Sequence, residues 1–228
     1  MHYYRKATNW YGGNGIVGAQ SPIGTGLAFG LKYKKKENCA VIMYGDGAAN
    51  QGQLFEAFNI AYLWKLPCIY ICENNNYAMG TPVERAASNP NFYQRGDVIP
   101  GIKLDGQNIF SVKAGMQYAR KYSIEHGPII IEANTYRYRG HSMSDPGTAY
   151  RTMEEVQEVR KSRDPIEYLK SIIMANNLLS EEEIKKIEGD IRAEITEAYE
   201  SAKKDPFPSE KDLITDVYVD NEKCFDHL

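Results

Sequence analysis

One carboxylate in this chain stands where it could hold a cation against phosphate. Asp46 lies in Gly45-Asp46-Gly47-Ala48-Ala49-Asn50-Gln51-Gly52, directly after the apolar run Cys39 to Tyr44. The pattern predicts that a strand delivers Asp46 to a turn, that small residues keep the backbone open, and that a helix begins there. Free N–H groups at that helix start would face any anion. A carboxylate beside phosphates is repulsive unless a cation bridges the two. Mg2+ suits, because it takes hard oxygen ligands, several of them from phosphate and water. Asn75 follows Asp46 by 29 residues, within Glu73-Asn74-Asn75-Asn76-Tyr77, at the end of the next predicted strand. Adjacent parallel strands bring both ends to one edge of a sheet, where ligands of such folds bind. The Asn75 amide oxygen and a nearby main-chain carbonyl are then expected to complete the protein's share of ligands. Glu73 is expected to support this loop as a strand-end carboxylate.

The elements that must position these groups follow from the apolar periodicity. Cys39 to Tyr44, Pro67 to Cys72 and Pro128 to Tyr136 have the composition of buried strands. Leu54, Phe55, Phe58, Ile60, Ala61 and Leu63 fall mainly at helical spacing between Asn50 and Lys65, with Pro67 ending the helix, and Phe110 to Tyr122 forms a further helical pattern. Strand-helix alternation over residues 20 to 138 predicts an α/β fold with a mostly parallel sheet flanked by helices. Beyond Tyr150 the composition turns to Glu, Lys and Ile, and cap signals mark three helices: Thr152 with Glu155, Asp164 before Pro165, and Ser180 with Glu183. In the last helix Ile184, Ile187, Ile191, Ile195 and Ala198 predict one packed face and one solvated face. Two regions are therefore expected: an α/β cofactor domain over 1–150, and a helical C-terminal region over 151–228 that packs on it or on a partner subunit. Lys32, Lys34, Lys35 and Lys36 are expected at a solvated helix end, where their charge complements the helix dipole.

The chain carries 228 residues, 43% hydrophobic and 25% charged, enough to bury a sizeable core. With 27 basic against 30 acidic side chains and only short basic clusters, nucleic acid is not an expected partner. The apolar runs fall far short of the roughly 20 residues of a membrane-spanning helix. Four cysteines, Cys39, Cys68, Cys72 and Cys224, are expected as reduced thiols, with Cys68 and Cys72 on one face of a strand.

Gly-Asp-Gly followed at this spacing by Asn-Asn resembles the thiamine diphosphate motif. Three stretches narrow the resemblance: Gly12 to Gln20 as GGNGIVGAQ, Gly45 to Ala57 as GDGAANQGQLFEA, and Trp64 to Gly80 as WKLPCIYICENNNYAMG. Together with Val83 to Ala87 and Tyr136 to Arg151, they closely resemble the alpha-subunit family of pyruvate dehydrogenases. The likeness covers roughly residues 1 to 165 and fades in the C-terminal helices. The branched-chain 2-oxo acid enzymes look different after Gly-Asp-Gly. The competing readings are another thiamine-dependent 2-oxo acid dehydrogenase alpha subunit, or a noncatalytic regulatory or scaffold fragment.

The resemblance implies a thiamine diphosphate-binding fold, with Asp46, Asn75 and the main-chain oxygen of Tyr77 holding Mg2+. It also implies that Gly47 and Ala48 contact the diphosphate, and that Gly15 and Val17 meet the aminopyrimidine ring. His141, in Gly140-His141-Ser142-Met143-Ser144-Asp145, is implied as the catalytic proton carrier, and an imidazole exchanges protons near neutral pH. Ser142 is implied as the target of a regulatory kinase and phosphatase, with Arg139 standing where animal members carry histidine. The implied partners are a beta subunit, in a heterotetramer, and a lipoyl-bearing acyltransferase component, in the mitochondrial matrix, with a bacterial cytoplasm as the alternative. Against that family the chain is short at its N-terminus, so Met1 is expected to be an internal methionine or a misassigned start.

Overall fold

Strand β1 (Ala40–Gly45) buries Ala40, Ile42 and Tyr44 and exposes Val41 and Met43, the alternation of a strand with one covered face. Strands β2 (Cys68–Asn74) and β6 (Ile129–Asn134) are buried almost throughout, because they occupy the middle of the sheet. The sheet is parallel, in the order β1-β2-β6-β5, with β5 (Gly101–Asp105) at the far edge. A short antiparallel hairpin, β3 (Tyr77–Ala78) with β4 (Thr81–Pro82), follows β2. The computed structural model describes residues 2–215 and 217, which fall into two compact units divided between Ser171 and Ile172. Cys224 lies outside the described residues.

Helices pack on both faces of the sheet, though the outer face of β1 stays exposed. On one face α1 (Gln20–Tyr33) and α2 (Gly52–Leu63) pack Ala28, Leu54 and Phe58 into a core with Ile42, Tyr44, Cys68, Tyr70, Cys72 and Ile130. On the other, α4 (Ile109–His126) sets Ala119 against Ile69, Ile129 and Ile131. The α1 backbone approaches β1 so closely that a Cβ at Gly24 would lie 2.3 Å from Ile42 Cγ1, so glycine is required there. A single turn of helix, α3 (Val83–Ala86), leaves the hairpin. This is the expected α/β architecture. β5 and the β3–β4 hairpin were not legible in the apolar periodicity, because β5 is a half-exposed edge strand containing Lys103 and the hairpin strands have two residues each. Lys32, expected at a solvated helix end, donates to the carbonyls of Trp64 and Lys65 and so ties α1 to the end of α2.

Three helices follow, as the caps predict. For α5 (Met153–Arg163) Thr152 accepts from the Glu155 N–H at 3.1 Å, but the Glu155 carboxylate accepts from Tyr136 Oη at 2.9 Å instead of closing the box. Asp164 accepts from the N–H groups of Ile166 and Glu167 at the start of α6 (Pro165–Ala175). Ser180 and Glu183 form both bonds of a capping box for α7 (Glu181–Lys204). On this last helix Ile187, Ile191 and Ile195 are 52%, 54% and 65% exposed. Periodicity lays these side chains on one side of the helix. No helix among the described residues is long and apolar enough to cross a membrane.

Candidate active site

The parallel register of β1 and β2 pairs Gly45 with Glu73, so the two strands end together and release Asp46 and Asn75 at the same edge. Asp46 is only 3% exposed. The Asn75 backbone N–H lies close enough to its carboxylate to favour the charged form, so the two halves of the motif meet here. Burial nevertheless raises its pKa, against the opposing pull of that N–H and of Arg137 and His141. A desolvated carboxylate in this state favours a cation beside it. Asn50 Nδ2 lies 3.4 Å from the Asp46 carbonyl, and a short 3-10 turn, Ala48–Asn50, carries the chain away. At Gly47 a Cβ would approach Ala78 Cβ to 2.7 Å, so a side chain there would push the hairpin off the turn.

The second half is an Asx turn. Asn74 Oδ1 accepts the N–H of Asn76 at 3.1 Å, and Asn76 takes a left-handed conformation (φ +68°). That turn brings Asn75 Oδ1 and the Tyr77 carbonyl oxygen to one point, where Arg137 Nη1 donates to both at 2.9 and 2.8 Å. The other guanidinium nitrogen donates to the Met79 carbonyl and to Tyr150 Oη, each at 2.9 Å. Each of these oxygens has a second lone pair. One carboxylate, one amide oxygen and one main-chain carbonyl form a hard-oxygen set that fits Mg2+ completed by phosphate and water. No group of three or more His, Cys, Asp or Glu gathers as a metal site among the described residues.

His141 reaches the same cleft on the loop after β6. That loop is built around Asp145, which accepts the N–H of His141 at 2.8 Å, the N–H of Gly147 at 2.8 Å and Tyr150 Oη at 2.6 Å. These bonds, the Tyr150 hydroxyl foremost, hold the Asp145 carboxyl down to about 2. Arg151 fastens the loop from below, donating to the carbonyls of Gly147, Arg137 and Arg139. A chain of contacts therefore runs from Asn75 and Tyr77 through Arg137, Tyr150 and Asp145 to the backbone of His141. Ser142 is exposed beside it, its Oγ 3.1 Å from Ser144 Oγ.

The cleft encloses about 400 Å³ and is lined by Val17, Asp46, Gly47, Ala48, Asn75, Tyr77, Arg137 and His141, among others. Val17 enters it from the glycine-rich loop, and its carbonyl accepts from Gln53 Nε2 at 2.9 Å, so α2 holds that loop in place. Gly15 lies in the same loop but outside the lining, where a Cβ would face His2 Nε2 at 3.2 Å. Glu73, expected to support the Asn75 loop, is exposed. The supporting carboxylate is Glu132, on β6, which accepts from Asn74 Nδ2 at 2.9 Å. Glu132, Arg137, Asp145, Tyr150 and Gln53 are not expected at the site from the sequence alone. A lone carboxylate within the run Ile129-Ile130-Ile131-Glu132 was the available signal for the first.

A parallel sheet whose paired strand ends carry this oxygen set belongs to a defined class. The profile of the Dehydrogenase E1 component family matches residues 1–211, and the chain belongs to that family. It is 53% identical over 219 residues to the pyruvate dehydrogenase E1 component subunit alpha-1, mitochondrial, of Oryza sativa subsp. japonica, covering 96% of this chain and 56% of that protein. The corresponding subunit alpha of Solanum tuberosum matches to the same extent. The somatic form of subunit alpha from Bos taurus is 53% identical over 222 residues, covering 97% of this chain and 56% of its own length. The chain thus spans a little over half the length of these curated relatives.

Proposed function

We propose that this chain is an alpha subunit of a pyruvate dehydrogenase, working in mitochondria with a beta subunit and a lipoyl-bearing acyltransferase component. The observation that carries the reading is the convergence of Asp46, Asn75 Oδ1 and the Tyr77 carbonyl on one cleft that His141 also lines. Thiamine diphosphate, when bound, supplies the nucleophile and electron sink for decarboxylation of a 2-oxo acid. Asp46, Asn75 and Tyr77 would hold its Mg2+, and Gly47 and Ala48 would leave room for the diphosphate. Val17 offers an apolar surface to the ring.

His141 stands on a loop whose backbone is pinned by Asp145, so its imidazole samples a restricted region at the cleft. There it would pass a proton to or from the reacting oxygen of the substrate and assist transfer of the acetyl group to a lipoyl arm. Ser142, next in sequence and exposed, is the proposed site for a regulatory kinase and phosphatase. A phosphate there would add nearly two negative charges beside the Asp145 anchor.

Calorimetric titration of Mg2+ and thiamine diphosphate into the assembled protein tests the reading. Heat is expected from the unmodified protein and none from Asp46→Ala. No heat from the former, or equal heats from both, overturns the cofactor assignment. Turnover of pyruvate above branched-chain 2-oxo acids is the expected substrate preference.

A further inference from the structure

We propose that Glu132 is a positioning residue that sets the geometry of the cation-binding turn through Asn74. The inference rests on the cofactor reading above and assigns a role to a residue outside the expected ligand set. Glu132 is fully buried, at 0% exposure, directly after the three isoleucines that open β6. An unpaired carboxylate at such a position would be strongly destabilising, and a hydrophobic residue would pack there at no such cost. Its bonding explains why a carboxylate serves. Oε1 accepts from Lys103 Nζ at 3.0 Å and from Asn74 Nδ2 at 2.9 Å, and Oε2 accepts the backbone N–H of Tyr93 at 3.1 Å. Lys103 is its register partner on β5, so the two side chains emerge on the same face of the sheet.

The consequence falls on Asn74. With its NH2 group held by Glu132, the amide can present only its oxygen to the loop, and that oxygen accepts the N–H of Asn76. The resulting turn holds Asn76 in its left-handed conformation and aims Asn75 Oδ1 and the Tyr77 carbonyl at one point. The main chain on either side is already tied, since the Asn74 carbonyl accepts the N–H of Thr135 at 2.9 Å and the Asn76 carbonyl that of Val83 at 3.1 Å. Rotation of the Asn74 amide is therefore the freedom that Glu132 removes. The carboxylate bonds Asn74, Lys103 and the Tyr93 N–H and lies outside the cleft lining, so it would act through orientation alone, one step beyond the direct partners of metal ligands.

The test is Mn2+ binding, followed by electron paramagnetic resonance in the presence of saturating thiamine diphosphate, on the assembled protein. Unmodified protein, Glu132→Gln, Asn74→Ala and Ile130→Val are compared, with thermal unfolding measured on each. Glu132→Gln and Asn74→Ala are expected to weaken Mn2+ about tenfold or more, while Ile130→Val lowers thermal stability without moving Mn2+ affinity. Should Glu132→Gln fail to fold, Asn74→Ala still decides, because it leaves the Lys103 and Tyr93 contacts of Glu132 in place. Folded Asn74→Ala that binds Mn2+ as tightly as the unmodified protein overturns the inference. Absence of Mn2+ binding by the unmodified protein overturns the cofactor reading instead.

Discussion

Arg137 Nη1 sits 2.9 Å from Asn75 Oδ1, and the same nitrogen reaches the Tyr77 carbonyl at 2.8 Å. One planar cation therefore holds together the two neutral oxygens proposed as metal ligands. It occupies one lone pair of each and leaves the other directed elsewhere. Its second nitrogen continues to Tyr150, and so to the loop of His141.

Arg137→Ala is expected to weaken Mn2+ binding in the presence of thiamine diphosphate by about tenfold or more, because the two oxygens lose their common donor. Arg137→Lys should recover little of this. A single ammonium cannot reproduce a fork that reaches four acceptors. Paramagnetic resonance titration of the two variants checks the pair of outcomes.

Asp46 is expected to trade stability for binding. Burial raises its pKa in the folded chain. The native state then holds its proton more tightly than the unfolded state, and stability falls as pH rises from the ordinary carboxylate value through the raised one. Asp46→Asn removes this loss, so the cation-free variant should melt a few degrees higher than the unmodified protein at neutral pH. The same variant should bind no Mn2+. Calorimetric scans with and without the cation measure both effects.

Asp145 should anchor the His141 loop throughout the physiological range. Its carboxyl is held down to about 2, so its contribution is complete above the ordinary value of 3.8 and is lost only as pH falls toward 2. Asp145→Ala at neutral pH should therefore mimic extreme acid locally. Amide hydrogen exchange at His141 and Gly147 is expected to rise sharply, with exchange in β2 and β6 unchanged.

Gly47→Ala should cost about 1–3 kcal/mol, the usual penalty for overpacking, because the added Cβ would lie 2.7 Å from that of Ala78. The remedy is specific: Ala78→Gly removes the opposing methyl group. The double variant should regain most of the melting temperature and cofactor affinity, an interaction that a double-mutant cycle measures directly.

Much of this protein can be read along the chain. Gly45-Asp46-Gly47 and Asn74-Asn75 stand at the ends of apolar runs, and local periodicity is enough to predict parallel strands, their common edge and the helices between them. Caps at Thr152, Asp164 and Ser180 act over three residues, and their helices begin where those side chains stand. Even there a distant partner intervened, since Glu155 prefers the Tyr136 hydroxyl to its own cap.

The rest required folding. Glu132 meets Asn74 across 58 positions and Arg137 meets Asn75 across 62, and no local pattern reports a contact of that separation. Glu73 is nearer to Asn75 in sequence but points to solvent, while the register that sets β6 beside β2 brings Glu132 in from below. Residue types and spacing thus settled which chemistry the chain could attempt and at which edge. Which buried charges hold the oxygens in place followed only from strand register and packing, because those depend on surfaces that come together after the backbone has closed.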